Sequence, residues 1–463
     1  MARRSLPLLA SLALAGCTEG SLAGPGGALN ADGGLPRSAY CDALIGSGGA
    51  QDGALQLQGA PLAFAPTTHG FGLSVVVQSG SPAMLGLRTR AAGAPSWGEA
   101  MAPLVRATDL AEWSVEGLAA GVRTDYQIIG CSTAGETVLH GGHVVTQRPA
   151  GQSFTFGLIS DTHIGADLAY TNQGDETTLA AVAKGIAAAS PDFVANLGDI
   201  LDYHQYGFNT PPPDAAIARQ AYVNYRSTLG DLAGNAAHFP VIGGWDSESG
   251  CNTAAEIERS RSQRLLYLPA AGPDTYAEGG SPFQDYYAFT WGDALFVVLN
   301  VFTYTPTCHL LTPGPADDWT LGQAQLDWLR QTLASSRSKW KFLLIHHPVG
   351  GNAGDDANSA YGRGGGRAAL VGEQAIVHQM MRDYGVQIFF YGHDHVFTDM
   401  VVDGIHYSLP GSAGAIWMFT AGETGYETSW PDPGWARVDV TSDDVHVQFL
   451  TSTGASLFDY TIR

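Results

Sequence analysis

An all-β segment followed by an α/β segment is the architecture this sequence predicts, and three observations predict it. Residues 39–147 carry short apolar and polar alternations separated by Gly, Ser and Pro turns, the period-two pattern of half-buried strands. After Pro149-Ala150-Gly151-Gln152 the pattern changes to apolar runs alternating with helical stretches, as in an α/β unit. The polar residues of chemical interest then follow directly on those apolar runs, where open α/β sheets place their ligands.

Along the chain, Arg3 and Arg4 precede a short apolar stretch over 6–15, too short to span a bilayer and suited to an export signal. It ends in Leu14-Ala15-Gly16-Cys17, which resembles the bacterial lipobox, so residues 1–17 are expected to be a lipoprotein signal with Cys17 acylated. The expected location is the bacterial cell envelope, periplasmic or surface-exposed, or the medium if the chain is secreted. Membrane contact is expected only through the lipid anchor. Residues 18–38, rich in Gly, Ala and Ser, read as a flexible tether. In the all-β segment (39–148), strands are predicted over 72–77, 83–88, 112–115 and 126–129. The run 118–126, from Leu118 to Tyr126, resembles the E–F corner of fibronectin type III domains. From 153 onward the prediction is strands over 154–160, 192–196, 239–243, 294–301, 341–345 and 387–391. Helices are predicted over 176–190, 321–333 and 373–384, and the C-terminal 436–440 and 444–450 return to β-structure.

Composition narrows the function. Across 463 residues, Lys and Arg number 23 against 44 Asp and Glu, a formal charge of -21. That surface repels polyphosphate backbones and argues against a nucleic-acid partner. With Cys17 set aside, Cys41, Cys131, Cys251 and Cys308 remain, an even number in a chain read as exported, which argues for two disulfides. Of the three pairings, Cys41–Cys131 and Cys251–Cys308 are favoured because each lies within one predicted domain. Oligomeric state is not readable.

Four clusters carry the chemistry. They are Asp161-Thr162-His163, Gly198-Asp199, His346-His347-Pro348 and Gly392-His393-Asp394-His395, each after an apolar run. Singly, such clusters are common at strand ends. Together, two carboxylates and four imidazoles suit a pair of divalent or transition ions such as Fe, Mn or Zn. Two ions about 3.5–4 Å apart can clamp a phosphoryl group and lower the pKa of a water between them.

The order and spacing resemble the calcineurin-like metallophosphoesterases over roughly 153–425, within a predicted domain 153–463. The preceding β-sandwich is similar to the layout of purple acid phosphatases. The resemblance implies a metallophosphoesterase sandwich with mixed sheets flanked by helices, preceded by a small fibronectin type III-like sandwich. It implies one ion held by Asp161, His163 and His395, a second held by His346 and His393, and Asp199 bridging both. His347 is expected behind that set. A purple-acid-phosphatase iron ligand is a Tyr three residues past the bridging Asp. Asp202 stands there and Tyr203 one residue later, which argues against a charge-transfer ferric site.

The third family block, Gly-Asn-His followed by Asp or Glu, reads here as Gly243-Gly244-Trp245-Asp246. Gly244 replaces an Asn ligand, leaving the second site one donor short, unless Asp246, Asp202 or His204 substitutes. Trp245 replaces a His that contacts phosphate, so no catalytic acid is assigned. Trp245 either stacks on substrate or packs. Arg363 and Arg367, in the Gly-rich loop 350–366 and just beyond it, are candidate phosphate contacts. Asp355-Asp356 in the same loop reads as a solvated turn. His309, His378, His406 and His446 read as surface or packing residues. Three functions remain open: a working phosphoesterase for small phosphomonoesters or diesters, a weakened relative that binds metal and a phosphorylated ligand, and a purely structural use of the fold. The six retained candidate ligands argue against the last.

Overall fold

The structure, a computed structural model, describes residues 38–48, 55–166, 174–202, 214–248, 250, 252–305, 320–347, 372–419 and 426–463. Cys17, Tyr203, His204, Cys251, Cys308, His309, Asp355, Asp356, Arg363 and Arg367 lie outside these residues, as does the tether up to Arg37.

Two sheets stack face to face at the centre. In the first, the parallel strands Phe154–Ile159, Phe193–Asn196 and Ala237–Pro240 lie side by side. The antiparallel strands Gly434–Val440, Val445–Thr451 and Ser456–Ile462 extend that sheet on one flank. In the second, Ala294–Val298, Trp340–Leu344, Ile388–Phe390 and Ile405–Pro410 run parallel, with the antiparallel Tyr287–Trp291 and Phe397–Val402 at its edges. Ala294–Val298 and Ile388–Phe390 are unbroken apolar runs because both faces are covered, whereas Gly434–Val440, Val445–Thr451 and Ser456–Ile462 alternate apolar with polar residues. Their inner faces interdigitate as an aromatic core of Phe156, Phe193, Phe239, Phe289, Phe296, Phe342 and Phe390. Phe239 and Phe289 stack with ring centroids 4.0 Å apart.

Helices cover the outer faces. Glu176–Ala188 and Ala215–Leu229 bury their apolar stripes on the first sheet, and Gly322–Ser335 and Gly372–Tyr384 do so on the second. Asp175 caps the first of these by accepting from Thr177 N at 2.9 Å, satisfying an amide that the helix cannot. Ala215–Leu229 and Ala254–Tyr267 were not anticipated from the sequence. These helices lack a clean apolar stripe, because Arg226, Arg261 and Arg264 occupy buried positions on them. The predicted strand over 239–243 stops at Pro240, and Gly244–Asp246 forms a single 3-10 turn instead.

Residues 55–146 are β-structure apart from a 3-10 turn over Pro82–Met84, while Ala39–Gly46, inside the segment expected to be all-β, forms a helix. Leu62–Phe64, Phe71–Ser79, Leu110–Val115 and Leu104–Ala107 pair as one set, and Leu85–Ala91, Arg123–Ser132 and Gly135–Val145 pair as another. A core of Leu73, Val75, Leu85, Leu87, Trp113, Tyr126 and Ile128 lies between them. Two features differ from a free-standing sandwich. Leu62–Phe64 pairs in parallel with Ala237–Pro240, so the first set continues the large α/β sheet. The buried Tyr126 hydroxyl donates to Gly234 O at 3.2 Å, far along the chain rather than to its own corner. Cys41 and Cys131 form a disulfide that pins the helix Ala39–Gly46 to this region. Closing a loop of 90 residues is worth roughly 4–5 kcal/mol by chain entropy.

Candidate metal centre

The C-terminal ends of the parallel strands in both sheets converge on one point. Asp161 and His163 follow Phe154–Ile159, Asp199 follows Phe193–Asn196, His346 follows Trp340–Leu344, and His393 and His395 follow Ile388–Phe390. The turns that carry them are unusual. Asp161, His163, Asp199, His393 and His395 all have left-handed backbone, with φ between 48° and 79°. Each such non-glycine residue costs on the order of 1–3 kcal/mol and persists only where its surroundings hold it. Here the holders are visible. Asp161 N donates to Gly198 O and His163 N to Asp199 O, both at 3.0 Å, which zips the first two turns together. Ser412 Oγ donates to Asp161 O at 2.8 Å. His393 N donates to both Asp161 carboxylate oxygens, at 3.1 and 3.0 Å. Gly392 is required for that approach, because a Cβ there would meet Ser160 Oγ at 2.0 Å. Gly198, with φ +100°, likewise faces His346 too closely for any side chain.

The six side chains form two groups of three, Asp161, His163 and His395, and Asp199, His346 and His393, each with donor atoms within 4.8 Å of one another. The groups adjoin: His346 Nε2 lies 2.9 Å from Asp199 Oδ2 and 3.8 Å from Asp161 Oδ1. Asp199 Oδ2 also lies 3.8 Å from His163 Nε2. Within the first group, His395 Nε2 is 3.2 Å from His163 Nε2 and 3.3 Å from Asp161 Oδ1.

The donor set fits cations. His346 Nδ1–H donates to Leu197 O at 2.8 Å and His395 Nδ1–H to Trp417 O at 2.9 Å. Each carbonyl fixes a tautomer whose Nε2 lone pair faces the cluster, the arrangement that orients metal-binding imidazoles. Burial, reinforced by His395 and His346, outweighs the nearby carboxylates and pushes the His163 pKa down to about 4, so the ring stays neutral near pH 7. Burial opposes charge on Asp161, yet His395, His346 and His163 hold its pKa below the usual carboxylate range. Asp199 is lowered against burial too, chiefly by His346. His346 is pushed up to about 9, because Asp199 and Asp161 outweigh its burial.

Other candidates are placed elsewhere. Asp246 is not positioned as a substitute ligand. Its Oδ1 accepts from Ile200 N and Leu201 N at 3.1 Å each, and its Oδ2 from Gly243 N at 2.8 Å. A carboxylate that satisfies three buried amides braces the Asp199 turn. Burial, reinforced by Asp199, raises its pKa to about 7. Asp202 is buried, with its amide bonded to Ile164 O, and belongs to neither group of three. His347 packs its ring 4.6 Å from that of His393. His378 bonds Tyr407 and Asp403, His406 bonds Asp399, and His446 pairs with Asp459, all away from the clusters.

The altered third block is visible in detail. Trp245 N donates to Asp199 Oδ1 at 2.8 Å, so the block still holds that carboxylate through backbone. Gly244 faces Phe302, and a Cβ there would come 3.1 Å from Phe302 Cε1. The Phe302 ring also packs 5.7 Å from His346. Phe302, Trp417 and Phe419 pack on the candidate ligands without any local sign in the sequence, being apolar residues in apolar stretches.

Residues 154–397 match the family model for calcineurin-like phosphoesterases, more than half the chain. The chain belongs to the calcineurin-like phosphoesterase family. Among solved structures, the chain is similar to GAP50, the anchor in the inner membrane complex of Plasmodium. Identity is 14%, coverage 67% of this chain and 88% of that one, and the TM-score 0.41. It is also similar to a predicted phosphoesterase of Streptococcus pneumoniae, at 13% identity, 68% and 99% coverage and a TM-score of 0.26. Vps29 of Entamoeba histolytica, complexed with zinc, is similar at 12% identity, 66% and 98% coverage and a TM-score of 0.28. Among curated proteins none matches the chain.

Proposed function

We propose that this chain hydrolyses small phosphomonoesters or diesters, using a pair of metal ions held by Asp161, His163 and His395 on one side and His346 and His393 on the other, with Asp199 between them. One observation carries the reading: two groups of three donors, all buried but His393, meet at Asp199 Oδ2, which lies within 4 Å of an imidazole nitrogen from each group. Ions held there would supply Lewis acidity at a phosphoryl oxygen and would lower the pKa of a bound water toward neutrality. The chain's own residues do the positioning. Leu197 O and Trp417 O hold two imidazoles in the ligating tautomer, Trp245 N and the braced turn at Asp246 fix Asp199, and Ser412 fixes Asp161.

A second reading, a weakened relative that binds metal and a phosphorylated ligand, draws support from Gly243-Gly244-Trp245. Position 245 offers an indole, which neither donates a proton to a leaving group nor carries charge to a phosphate. The two readings separate by assay. The full chain, loaded with manganese, zinc or iron, should turn over nitrophenyl phosphate or bis-nitrophenyl phosphate, and Asp199→Asn should abolish it. Full metal loading with no turnover under any ion would leave only binding.

A further inference from the structure

Two indoles lie against the first group of ligands. Trp245 meets the His163 ring edge-on, with centroids 5.5 Å apart. Trp417 sits 4.8 Å from the His163 ring and 4.6 Å from that of His395. The two indoles are 6.4 Å apart with planes tilted by 57°, and both remain partly exposed. They come from segments far apart in the chain, the third-block turn and the stretch after Ile405–Pro410, and meet only at the metal centre. Phe419 extends the aromatic surface, 5.5 Å from His395. Immediately downstream of Ala415, Ile416 is 64% exposed.

Aromatic faces beside a phosphoryl site contribute most when the ester group is itself flat and apolar, because stacking adds to burial. The chemistry of position 245 points the same way. An indole cannot protonate a departing alkoxide, whereas an aryl oxide leaves without a proton, its oxygen titrating near the tyrosine value of about 10. We infer that Trp245 and Trp417 are specificity-determining residues that select phosphoesters of aromatic alcohols, an inference that rests on the phosphoesterase reading above. In the step, the oxygen of water forms a bond to phosphorus and the bond from phosphorus to the aryl oxygen breaks. The electron pair leaves with the aryl oxide, and the water proton passes to solvent.

Binding tests this apart from turnover. The manganese-loaded full chain is titrated by calorimetry with phenylphosphonate and methylphosphonate, which cannot be hydrolysed. Phenylphosphonate should bind about tenfold tighter, the preference should fall within about twofold in Trp245→Ala and in Trp417→Ala, and Trp245→Phe should retain most of it. Trp417→Ala keeps the carbonyl that orients His395, so metal content, measured alongside, should hold. Equal affinity for the two phosphonates in the unaltered chain would overturn the inference. So would alanine variants that lose metal together with both ligands, since the indoles would then be packing for the metal centre. A phenyl preference with no turnover of any ester would sink the phosphoesterase reading and spare the aromatic surface. Turnover of phenyl and alkyl phosphates without a preference would do the reverse.

Discussion

The two halves of the candidate metal centre are built from the same residue types and held in different ways. In the half made of Asp161, His163 and His395, all three residues sit in left-handed backbone, all are buried, and two indoles pack on the imidazoles. In the half made of Asp199, His346 and His393, His346 has ordinary backbone and His393 is partly exposed. Where the family has an Asn ligand, this half has Gly244 facing Phe302. Asp199 and His393 share the left-handed backbone, so what sets the first half apart is its complete burial and the two indoles against its imidazoles. By the family pattern the second half lacks one donor, and the Phe302 ring lies against the position where that donor would stand. The difference predicts two metal sites of unequal strength from one set of donor types.

The most direct way to break this comparison is metal titration. Zinc or manganese binding should resolve a tight and a weak class differing by at least about a hundredfold, since even partners behind the ligands change affinity by 10–100-fold. His163→Ala should remove the tight class and His393→Ala the weak one. Two equal classes, or His393→Ala abolishing both, would refute the asymmetry.

A smaller effect sharpens the cause. If Phe302 occupies space that a ligand side chain would need, Gly244→Asn alone should change weak-site affinity little. Gly244→Asn with Phe302→Ala should raise it by about tenfold, as a gained ligand with room to reach the ion would. Equal gains from the single and double variants, measured by competition with a chelating dye, would clear Phe302 of that role.

The smallest effect concerns pH. The His346 pKa is raised from 6.5 to about 9 in the metal-free protein. A raised folded-state pKa means that the folded chain holds a proton which the unfolded chain releases. Its contribution to stability is complete below 6.5 and lost as pH rises through 9. The melting temperature of the metal-free chain should therefore fall across that window. The metal-loaded chain, in which an ion takes the proton's place, should stay nearly level. Parallel pH profiles for the two forms would show that His346 does not face the ion.

Much of this was legible from local pattern. Strands such as Phe154–Ile159 and Trp340–Leu344 are dominated by large apolar residues, and the candidate ligands follow them at once, so both strand and cluster could be read in a short window. The pairing Cys41–Cys131 also followed from staying within one predicted region. Helices such as Ala254–Tyr267 escaped because their buried faces carry arginines paired with Glu248, which a hydrophobic pattern cannot flag. Asp246 misled for a related reason: a carboxylate beside a ligand block looks like a ligand until its three amide donors are seen.

Residue chemistry and spacing along the chain were enough to indicate the family and the six residues that fold into two candidate metal-binding groups, because ligand type and strand period are local properties. Tertiary packing alone decided that Asp246 braces the turn, that Phe302 stands before Gly244, and that Trp417 arrives beside Trp245. It also decided that Tyr126 reaches Gly234 and that the β-region joins the large sheet through Leu62–Phe64. Each of these joins segments distant in sequence through contacts that one apolar or hydrogen-bonding residue makes much as another would. Nothing local distinguishes the partner that folding selects.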